Sequence, residues 1–390
     1  MAIRFLTAGE SHGPQMTAIL DGIPAGLSID IEGINADLAR RQKPLGTGGR
    51  MRIEKDQVQI LSGFMGGKTN GAPITLVVDN QDHTRWRGKT IDRFSTPRPG
   101  HADLAGLAKY GFEDIRPVLE RASARDTCPR VVVGAVCRQL LAEFGIQVGG
   151  YVSAIGAVKA DLTGLSFEER ICLGRETISG CPDPAADEQM QKAVAAIMQA
   201  RDTLGGVIEV IALGLPPGLG SYVQYDRRLD ARLAAAVLSV QAMKGVEIGD
   251  AFANAALPGT AVHDAILLEG TNLVRPTNHS GGLEGGMTTG QPLWLRAAMK
   301  PIATTLTPQP TVDLSSGVET QTVYERSDFC PVPRAVVILE AMTAFVLADA
   351  LIEKLGGDSI DEMKPRFLAL RQARLEDLIC EQQSFVWWED

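Results

Sequence analysis

The segment AVVILEAMTAFVLA, positions 335–348, is the strongest apolar run in the chain, and a single charge, Glu340, interrupts it. It is shorter than the roughly 20 apolar residues that a membrane-crossing helix needs, so it predicts a buried core helix over about 334–355. A helix that is apolar on all sides needs cover on all sides. The chain has 390 residues, enough to build that cover. Runs rich in Val, Ile and Leu, bounded by glycine and proline, predict strands at about 17–21, 57–62, 73–79, 146–155, 206–213 and 292–299. Unbroken stretches predict further helices at about 34–42, 188–203, 228–243 and 360–380. The segment DTCPRVVVGAVCRQLLAEFG, 126–145, contains a VVV run that suits a strand, but its length and the spacing of Gly134, Cys137, Leu141 and Phe144 favour a helix. Pro129 is tolerated in the first turn of such a helix. Helices and strands do not alternate strictly, so the expected fold class is α+β.

A faint echo runs through the chain. DGIPAGLS at 21–28 resembles LGLPPGLG at 213–220, and each is followed by a polar stretch and a predicted helix. Two such units are too few for a solenoid and fit a duplicated half. No clear linker appears, so the expectation is one domain over 1–390, with candidate pseudo-repeat halves near 1–200 and 201–355 and a C-terminal helix at 360–380. The six cysteines are scattered with no CxxC pair, which suggests neither a disulfide framework nor a metal site and fits a reducing, cytoplasmic compartment. No signal peptide or membrane anchor is expected. The net charge of −9 argues against a nucleic-acid partner.

Two stretches imitate nucleotide loops. GGKTNG at 66–71 fails as a P-loop because Ser62 stands where the first glycine belongs, and RGKT at 87–90 fails likewise with His83; both read as turns. No GxGxxG lies between a strand and a helix, so a Rossmann domain has no support. GGLEGGMTTGQ at 281–291 suits either an anion-wrapping loop or a plain connection.

The polar residues are more specific. AGESHGPQ at 8–15 places His12 between Ser11 and Gly13, where it reads as an exposed turn histidine or as a proton carrier at a close backbone approach. RPGHAD sets His101 beside Arg98, either as a helix cap near Asp103 or as an acid assisting a leaving anion. ERSDFCPVP places Asp328 ahead of the core helix, as a turn cap or as a carboxylate at a pocket edge. The arginines Arg40, Arg41, Arg50, Arg98, Arg121, Arg125 and Arg326 lie in segments broken by glycine and proline. An acidic chain that concentrates guanidinium groups in this way is equipped to grip a small polyanion.

These segments, AGESHG, RPGHADL, RASARDT and RSDFCPVP, resemble the chorismate synthase family in order and separation. QAMKGVEIGD, NHSGGLEGG and MKPIATT look like its flavin-contacting segments, and the likeness extends from about residue 3 to about 352. The resemblance implies a βαβ-type sandwich, a homotetramer, and a 1,4-elimination of phosphate from 5-enolpyruvylshikimate 3-phosphate that gives chorismate and needs reduced FMN. It implies His101 as the acid for the departing phosphate, His12 at the flavin N1 and O2 edge, and Asp328 near N5. Arg41, Arg50, Arg98, Arg125 and Arg326 would hold substrate, with Arg326 shared with the flavin. Arg121, Ala122, Ser123, Gln241, Ala242, Gly285, Lys300, Pro301, Ile302, Ala303 and Thr304 would line FMN. Thr47 stands where close relatives carry arginine, which bears against a direct NADPH contact there. No spare domain for a flavin reductase is expected, so the expectation is a monofunctional enzyme that receives flavin already reduced by an external reductase, with NADPH as a reductant source. SARDT shortens the usual acid at Asp126, and Ala303 replaces a common proline. An FMN-dependent NAD(P)H oxidoreductase and a non-enzymatic polyanion-binding protein are the competing readings.

Overall fold

Two antiparallel sheets enclose a layer of helices in the computed structural model, which describes residues 3–42, 45–47, 55–325, 327–378 and 380–388. The first part of the chain forms β1 (Arg4–Ala8), β2 (Gln15–Asp21), α1 (Ile31–Arg41), β3 (Val58–Ile60), a small hairpin of β4 (Phe64–Met65) and β5 (Lys68–Thr69), and β6 (Ile74–Asp79). It continues with α2 (Asp103–Tyr110), α3 (Arg116–Ala122) and α4 (Thr127–Ala142). The second part begins with β7 (Gln147–Ile155), β8 (Val158–Lys159), α5 (Phe167–Glu176), α6 (Pro184–Gln199), β9 (Gly206–Leu213), α7 (Leu229–Leu238) and β10 (Met243–Ile248). Short elements follow: α8 (Ala251–Asn254), α9 (Gly259–Val262), β11 (Leu267–Glu269), β12 (Asn272–Val274), β13 (Leu283–Glu284) and β14 (Met287–Thr288). The chain then forms β15 (Leu293–Met299), β16 (Pro310–Asp313), β17 (Val318–Gln321), α10 (Val332–Leu355) and α11 (Ile360–Leu368).

The sheet orders are β1-β2-β6-β3 and β10-β15-β9-β7-β8. Read from β7, the second sheet repeats the first as β7-β9-β15-β10, with β8 added at the edge, and each copy closes with a long helix, α4 or α10. The resemblance between 21–28 and 213–220 has a structural counterpart. Thr69 Oγ1 accepts from the Leu27 amide at 3.0 Å and donates to the Pro24 carbonyl at 2.6 Å. Thr288 Oγ1 accepts from the Leu219 amide at 2.8 Å and donates to the Pro216 carbonyl at 2.6 Å. The two copies meet near residue 146, between α4 and β7, and not near 200, because α5 and α6 are inserted into the second copy ahead of β9.

GGKT and GGMT are the matching hairpin turns of the two copies. Gly66 and Gly67 have φ of 59° and 83°, and Gly285 and Gly286 have 58° and 81°. Positive φ at both central residues is what a tight two-residue turn of this hand requires.

The core helix α10 packs on α4 on one side and on β7 and β9 on the other. Glu340, the fully buried carboxylate of this helix, is fully engaged. Glu340 accepts from Arg40 Nη1 and Nη2 at 2.6 and 2.7 Å, from Arg138 at 3.2 Å and from the Gly150 amide at 2.8 Å. Burial pushes its pKa up, yet Arg40 and Arg138 hold it below the ordinary carboxylate value. The charge therefore ties α1, α4, α10 and β7 together.

Several elements depart from the expected boundaries. The segment 228–243 stops as a helix at Leu238; Ala242 takes φ of 67°, which a right-handed helix cannot include, and β10 starts at Met243. The segment 188–203 starts earlier, at Pro184, where the Asp183 side chain caps the Ala185 and Ala186 amides. The segment 360–380 ends as a helix at Leu368, soon after Pro365 removes one amide donor.

Gly134 marks the closest approach of α4 to α10: a Cβ there would lie 2.2 Å from the Ala341 Cβ and 2.3 Å from its Cα. Gly134→Ala is expected to lower stability by about 1–3 kcal/mol. Urea unfolding followed by circular dichroism would measure it, and an unchanged midpoint would mean that the helices separate freely.

Candidate active site

One cavity of about 490 Å³ opens where the β1–β2 turn, the α3–α4 junction, the N-terminus of α10 and the strand end of β15 converge. Its size falls in the roughly 300–1,000 Å³ range of small-molecule and cofactor sites.

The β1–β2 turn delivers His12. Gly9, with φ of 114°, lets the chain turn where a Cβ would come within 2.4 Å of the Gln15 carbonyl. The Asn80 side chain then pins the turn by donating to the carbonyls of Glu10 and Gly13 at 3.2 and 2.8 Å. His12 is held by Glu120, whose two carboxylate oxygens accept from the His12 amide at 2.8 Å and meet Nδ1 at 2.6 Å. The Trp86 ring packs against the imidazole at 4.3 Å.

On another wall, Asp103 organises Arg98 and His101. Its carboxylate accepts from Arg98 Nε at 2.8 Å and from Nη2 at 3.0 Å, and its Oδ1 lies 2.5 Å from His101 Nδ1. Arg98 also donates to Thr304 Oγ1 at 3.1 Å. Burial pushes the Asp103 carboxyl up, but the hydrogen bonds from His101 and Arg98 outweigh it and hold the group well below its ordinary value. Lys300 reaches the Gly100 carbonyl at 2.7 Å.

Asp56 plays the same part for two more arginines. Its Oδ2 accepts from Arg41 at 2.7 Å, and its two oxygens accept from Arg125 Nη1 at 2.7 and 2.9 Å. Burial opposes the charge, while Arg41 and Arg125 lower its pKa overall. Asp56 and Asp103 have side chains with no exposed surface and do not line the cavity, whereas Arg41, Arg98 and Arg125 do. The wall therefore presents positive groups oriented from behind. Asp328, at the mouth of α10, bonds Arg334 Nη1 at 2.5 Å, and both line the cavity.

His12, His101, Asp328, Arg41, Arg98 and Arg125 are thus brought together, as are Ala122, Ser123, Gln241, Ala242, Lys300, Ile302, Ala303 and Thr304. Arg50 and Arg326 lie outside the described residues. Arg121, Pro301 and Gly285 are not among the lining residues. Arg121 turns away to the Thr7 carbonyl at 2.9 Å and to Asp126 at 2.8 Å, and Gly285 occupies the β13–β14 turn. Asp56, Asp103, Glu120, Trp86 and Arg334 escaped sequence reasoning. The motif RPGHAD did hold Asp103, two residues from His101; Asp56 had no such neighbour.

Oriented guanidinium groups, two imidazoles and the carboxylates of Asp82, Glu325 and Asp328 around one cavity define an enzyme of acid–base chemistry on a small polyanion. The chain matches the family model of chorismate synthase over residues 3–352. The curated chorismate synthase of Trichlorobacter lovleyi is 50% identical over 379 residues, 93% of this chain and 97% of that protein. That of Brevibacillus brevis is 52% identical over 374 residues, again 93% and 97%. A solved structure described as the crystal structure of chorismate synthase superposes with a TM-score of 0.77 at 42% identity, covering 94% of this chain and 97% of that one. The chain belongs to the chorismate synthase family.

The stability that Asp56 contributes is complete above its ordinary value of 3.8 and is lost as pH falls through its lower folded value. Asp56→Asn is therefore expected to cost on the order of 3 kcal/mol near neutrality. The gap from the unmodified protein should stay constant down to about pH 5 and shrink below about pH 4. Thermal melts across that range would measure it, and a gap that widened in acid would contradict the assignment.

Proposed function

We propose that this cavity carries out the family's reaction: 5-enolpyruvylshikimate 3-phosphate loses phosphate and a ring proton in a 1,4-elimination and becomes chorismate, with reduced FMN required and no net redox change. The observation that carries this reading is the convergence of His12, His101 and Asp328, more than 300 residues apart at the extremes, on a wall made positive by Arg41, Arg98 and Arg125. A substrate with one phosphate and two carboxylates matches that wall.

The residues also suit a flavin. Gln241 Oε1 and Arg41 Nε are enclosed atoms that lack a hydrogen-bond partner among the described residues, and both side chains belong to the cavity wall. Ala122, Ser123, Gln241, Ala242, Lys300, Ile302, Ala303 and Thr304 would hold the ring and its phosphate arm. Bound there, reduced FMN would supply the electron-rich ring chemistry that the elimination needs.

The chain's own groups do the rest. Arg41, Arg98 and Arg125 bind and orient the substrate anions. His101, with Nδ1 directed to Asp103, gives a proton from Nε2 to the departing phosphate. His12 would serve the N1 and O2 edge of a bound flavin, and Asp328 would hold and move the proton on its N5 side.

We read the assembly as a homotetramer, a reading supported by exposed apolar side chains such as Phe252, Leu267 and Leu268. An external reductase delivers the flavin already reduced, with NADPH as its reductant source, and Thr47 supports delivery over direct NADPH contact. The six free thiols support a cytoplasmic location.

His12→Ala and His101→Ala are each expected to slow phosphate release about 10²- to 10⁴-fold. The assay is anaerobic, with dithionite-reduced FMN, and follows phosphate and product absorbance together. Unchanged rates in both variants would refute these roles, and stoichiometric nicotinamide oxidation would mark an oxidoreductase instead. Light scattering should give about four times the 41.7 kDa chain mass; a monomer mass would refute the tetramer.

A further inference from the structure

We propose that Glu120 is a positioning residue for His12: its carboxylate fixes the imidazole proton on Nδ1 and aims Nε2 at the cavity. The grip is two-pronged. One oxygen accepts from the His12 backbone amide at 2.8 Å and the other meets Nδ1 at 2.6 Å, so the ring cannot turn about its own axis without breaking a short bond. An ionised carboxylate only accepts hydrogen bonds, so Nδ1 carries the hydrogen and the lone pair of the neutral ring lies on Nε2.

The surroundings hold the prongs in place. Glu120 rides on α3, and its own carbonyl accepts from the Ser11 amide at 3.2 Å, which fastens the helix to the β1–β2 turn. His83 Nδ1 lies 3.0 Å from the His12 carbonyl, and Trp86 packs against the ring. The Glu120 and His12 side chains keep only 18% and 19% of their surface exposed, so the bond between them is little weakened by water.

The other cavity imidazole is built alike from different elements, with Asp103 at 2.5 Å from His101 Nδ1. Asp103 also carries Arg98, so its replacement would disturb the guanidinium as well. Glu120 grips residue 12 through both oxygens and holds no cavity-lining arginine in the way that Asp103 holds Arg98. The arrangement follows the general logic of a carboxylate behind a working imidazole: it selects the tautomer and stabilises the cation formed when Nε2 takes a proton. The proposal rests on the role given to His12 above, and its test separates the two.

The decisive variant is Glu120→Gln. The His12 amide is a fixed donor and claims the glutamine oxygen, which leaves the NH₂ group facing Nδ1 and forces the hydrogen onto Nε2. Full-length protein labelled with ¹⁵N-histidine, free of flavin and substrate, reports the tautomer from the ring nitrogen shifts, with the His12 signals assigned by their loss in His12→Asn. The expected result is Nδ1–H in the unmodified protein and Nε2–H in Glu120→Gln. With reduced FMN, kcat for phosphate release should fall about 10²-fold while KM for substrate changes less than about 3-fold. Glu120→Asp, which keeps the carboxylate, should retain Nδ1–H and recover about tenfold of the rate. An unchanged tautomer in Glu120→Gln overturns the proposal, and so does a Glu120→Asp variant that keeps the charge yet has the Nε2–H tautomer. A switched tautomer with full kcat upholds the positioning and removes His12 from the chemistry.

Discussion

Asp56 lies between Arg41 and Arg125, and the presentation of positive charge on the cavity wall depends on that placement. A guanidinium taken from water without a partner is strongly penalised, and a carboxylate at the cavity surface would cancel the charge that a substrate anion needs to meet. Putting the carboxylate behind the arginine resolves both. Asp103 does the same for Arg98. The arginines of the wall are thus oriented by the protein's own carboxylates, and side chains held in this way cost less to order on binding.

The duplicated architecture explains why such a wall can be built. Each copy supplies a sheet with the same four-strand order and a long helix, and α4 against α10 brings the N-terminal ends of these helices to the same side of the molecule, with Thr127 and Arg334 both on the cavity. The turns that carry His12 and Lys300 reach the same side from β1–β2 and from the end of β15. A central layer locked by Glu340, Arg40 and Arg138 keeps the two halves from shifting against one another. Rigid elements under short functional turns hold catalytic geometry more closely than long loops would.

Much of this was legible in the sequence, for physical reasons. The strands at 206–213 and 74–79 were visible because buried strands read as continuous Val, Ile and Leu runs, and α10 because no break interrupts its apolar run. His12, His101 and Asp328 stood out beside glycine or proline, where a backbone turn is written into the local residues. Ala242 shows the limit: an alanine in left-handed conformation is held there by tertiary contacts, and nothing local announces the end of α7. Asp56 and Glu120 show another, since a carboxylate becomes a partner only when a distant arginine or histidine is folded against it. Gly285 was named through the resemblance alone; the structure sets it in the β13–β14 turn, outside the cavity lining.

The central claim is that phosphate, flavin and the two imidazoles share one space. A crystal structure of the protein grown with oxidised FMN and the phosphorylated substrate tests it most directly. The account predicts the substrate phosphate within hydrogen-bond distance of His101 and the isoalloxazine ring against Ala122, Ser123 and His12. Either molecule seated outside the cavity, or a phosphate turned away from His101 toward solvent, would contradict it.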